Sequence, residues 1–284
     1  MATVTMSSVW DRTTDFLQES AGKYLPLALL LIAVPLALGG IVASVANTMT
    51  GGTDRGLRLV IIGLSLVSLW GQLGIAALVT GVAGQTGDAG KQGLARLPKV
   101  IVVFVLFGLG FVLLLVPPII ALLLTGTDLA MLGSNDPVLV QLAIRAVQPG
   151  YAWFIVLYSL AAMVVMIWAA IRLALLLPIV AAENLMLGAF RRSFALTKGL
   201  TLKIFGVLLL LIVVSGVAQL AAKAVFGTVF ALVGMGTDPL AVGSLIATVL
   251  VAMVSAAFAV LSSVFSSNLL VAVRDNAPVD APGA

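Results

Sequence analysis

Residues 101–124 read Ile-Val-Val-Phe-Val-Leu-Phe-Gly-Leu-Gly-Phe-Val-Leu-Leu-Leu-Val-Pro-Pro-Ile-Ile-Ala-Leu-Leu-Leu, without one charged side chain. A bilayer core needs about 20 helical residues, so this stretch is long enough to cross. A membrane β-strand would be about ten residues long and alternate in polarity, which this run does not. Extended to 98–124, it is one of six such stretches; the others lie at 24–46, 57–82, 151–182, 202–233 and 240–273. The expected fold is therefore all-α, a polytopic membrane protein with six transmembrane helices and short interfacial helices.

Composition agrees with that expectation. Over 284 residues the chain is 62% hydrophobic and 9% charged, with a mean hydropathy of +1.23. A soluble domain is about a quarter charged, so so little charge cannot cover a soluble body of this size. Disorder is excluded by the same apolar excess.

The missing residue types narrow the chemistry. With no histidine and no cysteine, histidine acid–base catalysis, thiol nucleophiles, structural zinc, haem ligation by histidine and disulfides all drop out. Gly-rich Gly84 to Gly93 lacks the strand–turn–helix setting of a phosphate loop. No catalytic constellation remains, and neither an enzyme, a cofactor nor a metal site is expected. The net charge of +4 lies on bases flanking the spans. Anionic lipid headgroups are thus the expected counter-charge, rather than nucleic acid.

Lys and Arg also orient the chain. Alternate segments, starting from the N-terminus, hold ten bases: Arg12, Lys23, Lys91, Arg96, Lys99, Arg191, Arg192, Lys198, Lys203 and Arg274. The opposite segments hold Arg55, Arg58 and Arg145, or four with Lys223. Both termini are expected to be cytoplasmic. Ser44-Val45-Ala46 resembles a signal-peptide cleavage site, but the preceding apolar run is too long and Asp11, Asp15 and Glu19 make the n-region acidic; an uncleaved span is expected. The expected organisation is a cytoplasmic amphipathic segment over 1–23, one membrane domain over 24–274 and a disordered tail over 275–284. Val9, Thr13, Phe16 and Leu17 share a helical face in the first segment, which reads either as an interfacial helix or as a frayed tail.

Gly-Thr-Asp occurs at 52–54, 126–128 and 236–238, each time after an odd-numbered span. The pattern suggests three helical hairpins. The simpler explanation is cap chemistry, with Gly closing one helix and Asp or Thr opening the next. The alternative, a cation site, would have too few oxygens from three carboxylates alone.

Polar residues at membrane depth are scarce. Gln72, Gln219 and the group Ser262, Ser263, Ser266, Ser267 and Asn268 are expected to point inward and bond between helices. Lys223, at i+4 from Gln219, is expected to snorkel to the outer surface. Arg172 follows 21 uncharged residues from Tyr151, so it is expected at the cytoplasmic interface. Glu183 lies eleven residues on, about 16 Å along a straight helix. Arg191 or Arg192 is the better partner for it. Pro35, Pro117-Pro118 and Pro178 are each expected to bend their helices.

The segment Arg172-Leu-Ala-Leu-Leu-Leu-Pro178, then Glu183, then Ala189-Phe-Arg-Arg-Ser-Phe-Ala-Leu-Thr-Lys-Gly199 resembles the membrane-domain family of glycerophosphoryl diester phosphodiesterases and related inner-membrane proteins of the YciC type. The resemblance singles out Arg172, Pro178, Glu183, Arg192, Ser193, Thr197 and Gly199, and implies a multi-pass protein of the bacterial inner membrane. The soluble phosphodiesterase domain of that family is absent, so the resemblance implies a membrane module without that activity. The residues themselves suggest a short cytoplasmic amphipathic helix between Glu183 and Gly199, with Phe190, Phe194 and Ala195 toward the membrane. Two functions follow as expectations: a non-enzymatic module in lipid or envelope homeostasis, binding lipid or a protein partner, or a transporter or permease for a small or lipid-like solute. A shared cavity lined by Arg172, Gln72, Gln219 and Asn268 would favour transport; separate helix contacts would favour the module.

Overall fold

A computed structural model describes residues 5–50, 54–134, 136–198, 200–232 and 241–275. Among these residues every regular element is helical. In chain order they are α1 (Met6–Glu19), α2 (Ala21–Leu27), a π-helical turn (Ala28–Ala33), α3 (Val34–Thr50), α4 (Arg55–Val79), α5 (Thr86–Leu124), α6 (Leu129–Leu132), α7 (Pro137–Ala146), α8 (Pro149–Arg172), α9 (Leu176–Glu183), α10 (Gly188–Leu196), α11 (Thr201–Leu232) and α12 (Val242–Asp275). Among the described residues six helical stretches are long and apolar enough to cross a membrane: Ala21–Thr48, Arg55–Val79, Thr86–Leu124, Pro149–Glu183, Thr201–Phe230 and Val242–Asp275. The chain is an all-α, multi-pass membrane protein. It divides into two compact units, one of Met1–Val100 with Leu173–Ala284 and one of Ile101–Arg172.

The larger unit is built around α12 and α4. α12 packs against α11, α3, α4, α1 and α9, and α4 packs against α3, the π turn and α9. Ile32, Leu73, Ile75, Ile179, Phe265 and Leu269 are fully buried there. Small residues let backbones meet, as membrane helix packing requires. A Cβ at Gly71 would fall 2.8 Å from both Ile32 Cγ1 and Leu31 Cβ, and one at Gly93 would fall 3.0 Å from the Gly74 nitrogen.

The prolines act as their chemistry dictates. Pro35 follows the π turn, in which the Val34 N–H reaches back five residues to the Leu29 carbonyl. A proline ring excludes the ordinary bond to the carbonyl four residues before it, and the wider turn accommodates this. Pro178 sits in the third position of α9, just after the break in helix at 173–175. Its ring would clash with the Ala174 carbonyl in a continuous helix. Pro117-Pro118, by contrast, leave α5 helical through Leu124.

α5 begins twelve residues before the apolar stretch read from sequence. Its first turns are amphipathic, with Asp88, Lys91 and Arg96 between buried Ala89, Gly93 and Val100. Hydropathy alone starts the span only where charge ends. The amphipathic N-terminal segment forms α1, and the face read from its periodicity is the buried one. Val9 and Thr13 are fully buried against α12, and the Trp10 and Phe265 rings lie 6.3 Å apart.

The smaller unit holds the rest of α5 with α6, α7 and α8. The Tyr158 hydroxyl donates to the Leu114 carbonyl at 3.0 Å, tying α8 to α5. Gly126, at φ 71, ends α5, and Asp128 accepts from the Ala130 N–H at 2.8 Å to open α6. In the larger unit Asp54 caps α4 through the Leu57 N–H, also at 2.8 Å. Two of the three Gly-Thr-Asp aspartates thus act as helix caps. Gly52, Thr53, the third copy at 236–238 and the tail beyond Asp275 lie outside the described residues.

Candidate functional site

The part of the resemblance motif from Pro178 to Thr197 forms a tied corner of the larger unit. α9 ends at Asn184, whose φ of 55 closes the helix in the left-handed conformation. Asn is one of the few side chains that tolerates this position. Lys99, from α5, donates to the Asn184 side-chain oxygen at 2.8 Å and to its backbone carbonyl at 3.2 Å. From α10, Arg192 pairs with Glu183 at 3.4 Å, the second of the two partners anticipated from sequence. Both side chains are less than one-third exposed, so the pair is better shielded than a surface ion pair.

Ser193 and Thr197 are fully buried, and the Thr197 hydroxyl donates to the Ser193 carbonyl at 2.8 Å. Ala189, Ser193 and Leu196 form the buried face of α10, which packs on α9. The helix expected between Glu183 and Gly199 is therefore shorter, because Asn184 turns the chain before α10 begins. Phe190 and Phe194 are half-buried and Ala195 is exposed. Gly199 lies outside the described residues. Pro178 is buried within α9. Arg172 ends α8 in the smaller unit, with its guanidinium 5.6 Å from the Trp168 ring centroid.

The remaining polar residues make short-range hydrogen bonds. Asn268 donates to the Thr13 hydroxyl at 3.3 Å, joining α12 to α1. The Ser263 hydroxyl donates to the Gln72 carbonyl at 3.1 Å, joining α12 to α4. Gln219 bonds Ser215 on its own helix at 2.8 Å, so the expected bond between helices is not formed there. Ser266 and Ser267 both donate to the Ser263 carbonyl within α12.

Sequence reasoning missed Lys99, Asn184 and Trp70. The Trp70 indole N–H donates to the Gly90 carbonyl at 2.7 Å, fastening α5 to α4. Asn184 carried a usable signal, an Asn just past an apolar helix; Lys99 did not. On α5, Gln92 Oε1 and Arg96 Nη1, one turn apart, are buried without a partner among the described residues. Buried orphans of this kind are costly unless water or a ligand atom meets them.

A second feature lies between α3, α11 and α12. A cleft of about 590 Å³ is lined by Leu36, Gly40, Ser44, Lys223, Ser244 and Thr248, and continues past Val251 to Ser255. Its volume is in the range of small-ligand sites.

Comparison with known protein families, with curated proteins and with solved structures finds no match to this chain.

Proposed function

We propose that the chain is a non-enzymatic membrane module of the glycerophosphodiesterase membrane-domain type, serving lipid or envelope homeostasis in a bacterial inner membrane. The observation that carries this reading is how the polar residues at membrane depth are used. Asn268 and Ser263 bond between helices, Gln219 bonds within its own, and Arg172 belongs to the other unit. These contacts supply the interhelical bonding that a packed bundle needs, and in the larger unit they engage Asn268 and Gln219 in separate hydrogen bonds.

The proposed topology keeps both termini cytoplasmic, with the base-rich segments against anionic headgroups of the inner leaflet. Contacts in the larger unit support it. The Thr86 hydroxyl bonds the Lys23 carbonyl at 2.9 Å, Lys99 bonds Asn184, and Arg12 pairs with Asp275 at 3.4 Å. These contacts gather the base-rich segments toward one end of the unit. A protein partner for the module is compatible with this arrangement.

The test has two arms. Deleting the gene is expected to change phospholipid composition or envelope sensitivity, and vesicles reconstituted with the full chain are expected to show no solute flux. Saturable solute flux together with an unchanged lipid profile would establish the permease instead.

A further inference from the structure

We infer that the cleft between α3, α11 and α12 holds one anionic phosphodiester lipid, its headgroup at Lys223 and Ser244 and an acyl chain running toward Ser255. The inference rests on the lipid-module reading and names the lipid class and place.

Depth comes first. Lys203 and Lys223 both lie on α11, twenty residues apart, which is about 30 Å of helix. That matches the thickness of a hydrocarbon core. With Lys203 at one interface, the Lys223 ammonium reaches headgroup level at the other. Ser44 and Ser244 lie toward the same far ends of α3 and α12. Ser255 is eleven residues further along α12, about 16 Å deeper. The cleft therefore runs from the interface into hydrocarbon, which is the axis of a lipid.

Chemistry follows the same axis. Lys223 is exposed, and neither its ammonium nor the Ser244 hydroxyl has a hydrogen-bond or ion-pair partner among the described residues. Ser244 lies in the first turn of α12, whose dipole adds positive potential. A cation beside a free hydroxyl donor suits a phosphate oxygen. The other hydroxyls of the cleft are already used: Ser44 donates to the Gly40 carbonyl at 3.0 Å, Thr248 to the Ser244 carbonyl at 2.8 Å and Ser255 to the Val251 carbonyl at 2.9 Å. With those donors satisfied, the inner wall presents Leu36, Val251 and Ala252, which suits a chain of methylenes. A snorkelling lysine alone would need no cleft beside it.

The back and mouth of the cleft differ. At the back, a Cβ on Gly40 would lie 2.7 Å from Thr248 Cγ2, so α3 and α12 touch there. On the α11 side, a Cβ on Gly227 would meet nothing within 4 Å. Gly227 lines the cleft and its Cβ position is open, so Gly227→Leu is the substitution chosen to occupy the cleft, and it also raises helix propensity.

The full chain would be reconstituted in nanodiscs of equimolar phosphatidylglycerol and phosphatidylethanolamine, and retained lipid weighed by native mass spectrometry. Wild type is expected to keep one phosphatidylglycerol. Lys223→Gln should lower the ratio of phosphatidylglycerol to phosphatidylethanolamine about tenfold, as for loss of one charge-assisted contact. Lys223→Arg should preserve the ratio, Gly227→Leu should lose the bound lipid, and Lys203→Gln should behave as wild type. An unchanged ratio in Lys223→Gln, or a fall confined to Lys203→Gln, would overturn the site while leaving the module reading intact. Solute flux would overturn the module reading and leave the cleft's lipid in place.

Discussion

Asn268, near the end of the last spanning helix, donates its side-chain amide to the hydroxyl of Thr13, 255 positions earlier, at 3.3 Å. Thr13 in turn donates to the Val9 carbonyl at 2.8 Å. The chain's first described helix is thus tied to its last by a buried polar relay, reinforced by Trp10 on Phe265. Asn268→Ala removes the interhelical bond but leaves the Thr13 donor satisfied. The expected loss is about 1 kcal/mol, felt as undocking of α1. Hydrogen exchange should rise across residues 6–19 and stay unchanged in α4. Equal protection of α1 in wild type and variant would show that apolar contacts alone hold it.

Gly71 and Gly93 set how closely α4 meets its neighbours. A methyl at Gly71 would press on Ile32, Leu31 and the Leu31 backbone, and one at Gly93 would press on Trp70 and the Gly74 nitrogen. Backbone cannot swing aside as a side chain does. Gly71→Ala and Gly93→Ala should each destabilise by about 1–3 kcal/mol, despite the better helix propensity of alanine. Gly216→Ala, where a Cβ meets nothing, should be neutral or slightly stabilising. Thermal unfolding in one detergent would rank the three, and equal midpoints would contradict the close approach.

The Glu183–Arg192 pair predicts a coupling rather than two independent losses. Arg192→Ala leaves a largely shielded carboxylate without its cation, and the expected cost is about 1–2 kcal/mol. Adding Glu183→Gln removes the stranded charge, so the double variant should be less destabilised than the two singles together. Strict additivity in denaturant unfolding would mean that the two side chains do not interact.

Much of this was readable in sequence because lipid constrains it so strongly. A span must be long, apolar and helical, so residues 101–124 declared themselves. The caps at Asp54 and Asp128 and the Glu183–Arg192 partnership were legible for a similar reason, since they depend on neighbours close in the chain. What stayed hidden depends on contacts between distant segments. The charged start of α5 is helical because its small face packs on α4, and nothing in its hydropathy says so. The cleft was hidden in the same way. Lys223 alone looked like a snorkelling lysine; only the approach of α3 and α12 sets hydroxyls and an apolar wall beside it.

Topology gives a test that the composition makes clean. The chain has no cysteine, so one introduced thiol is the sole target of a maleimide. In the larger unit Arg12 and Asp275 pair at 3.4 Å, which brings α1 and the last turn of α12 together. An even number of spans puts these two segments on one side of the membrane, and in the proposed topology, which follows the ten-to-four division of bases, that side is the cytoplasm. Thr53→Cys and Thr237→Cys, in segments that the proposed topology puts on the opposite side, should react with a membrane-impermeant reagent in intact cells. Ser7→Cys, at an exposed position of α1, should react only after the membrane is permeabilised. Labelling of Ser7→Cys in intact cells, with Thr53→Cys and Thr237→Cys protected, would invert the topology and move the Lys223 cleft to the inner leaflet.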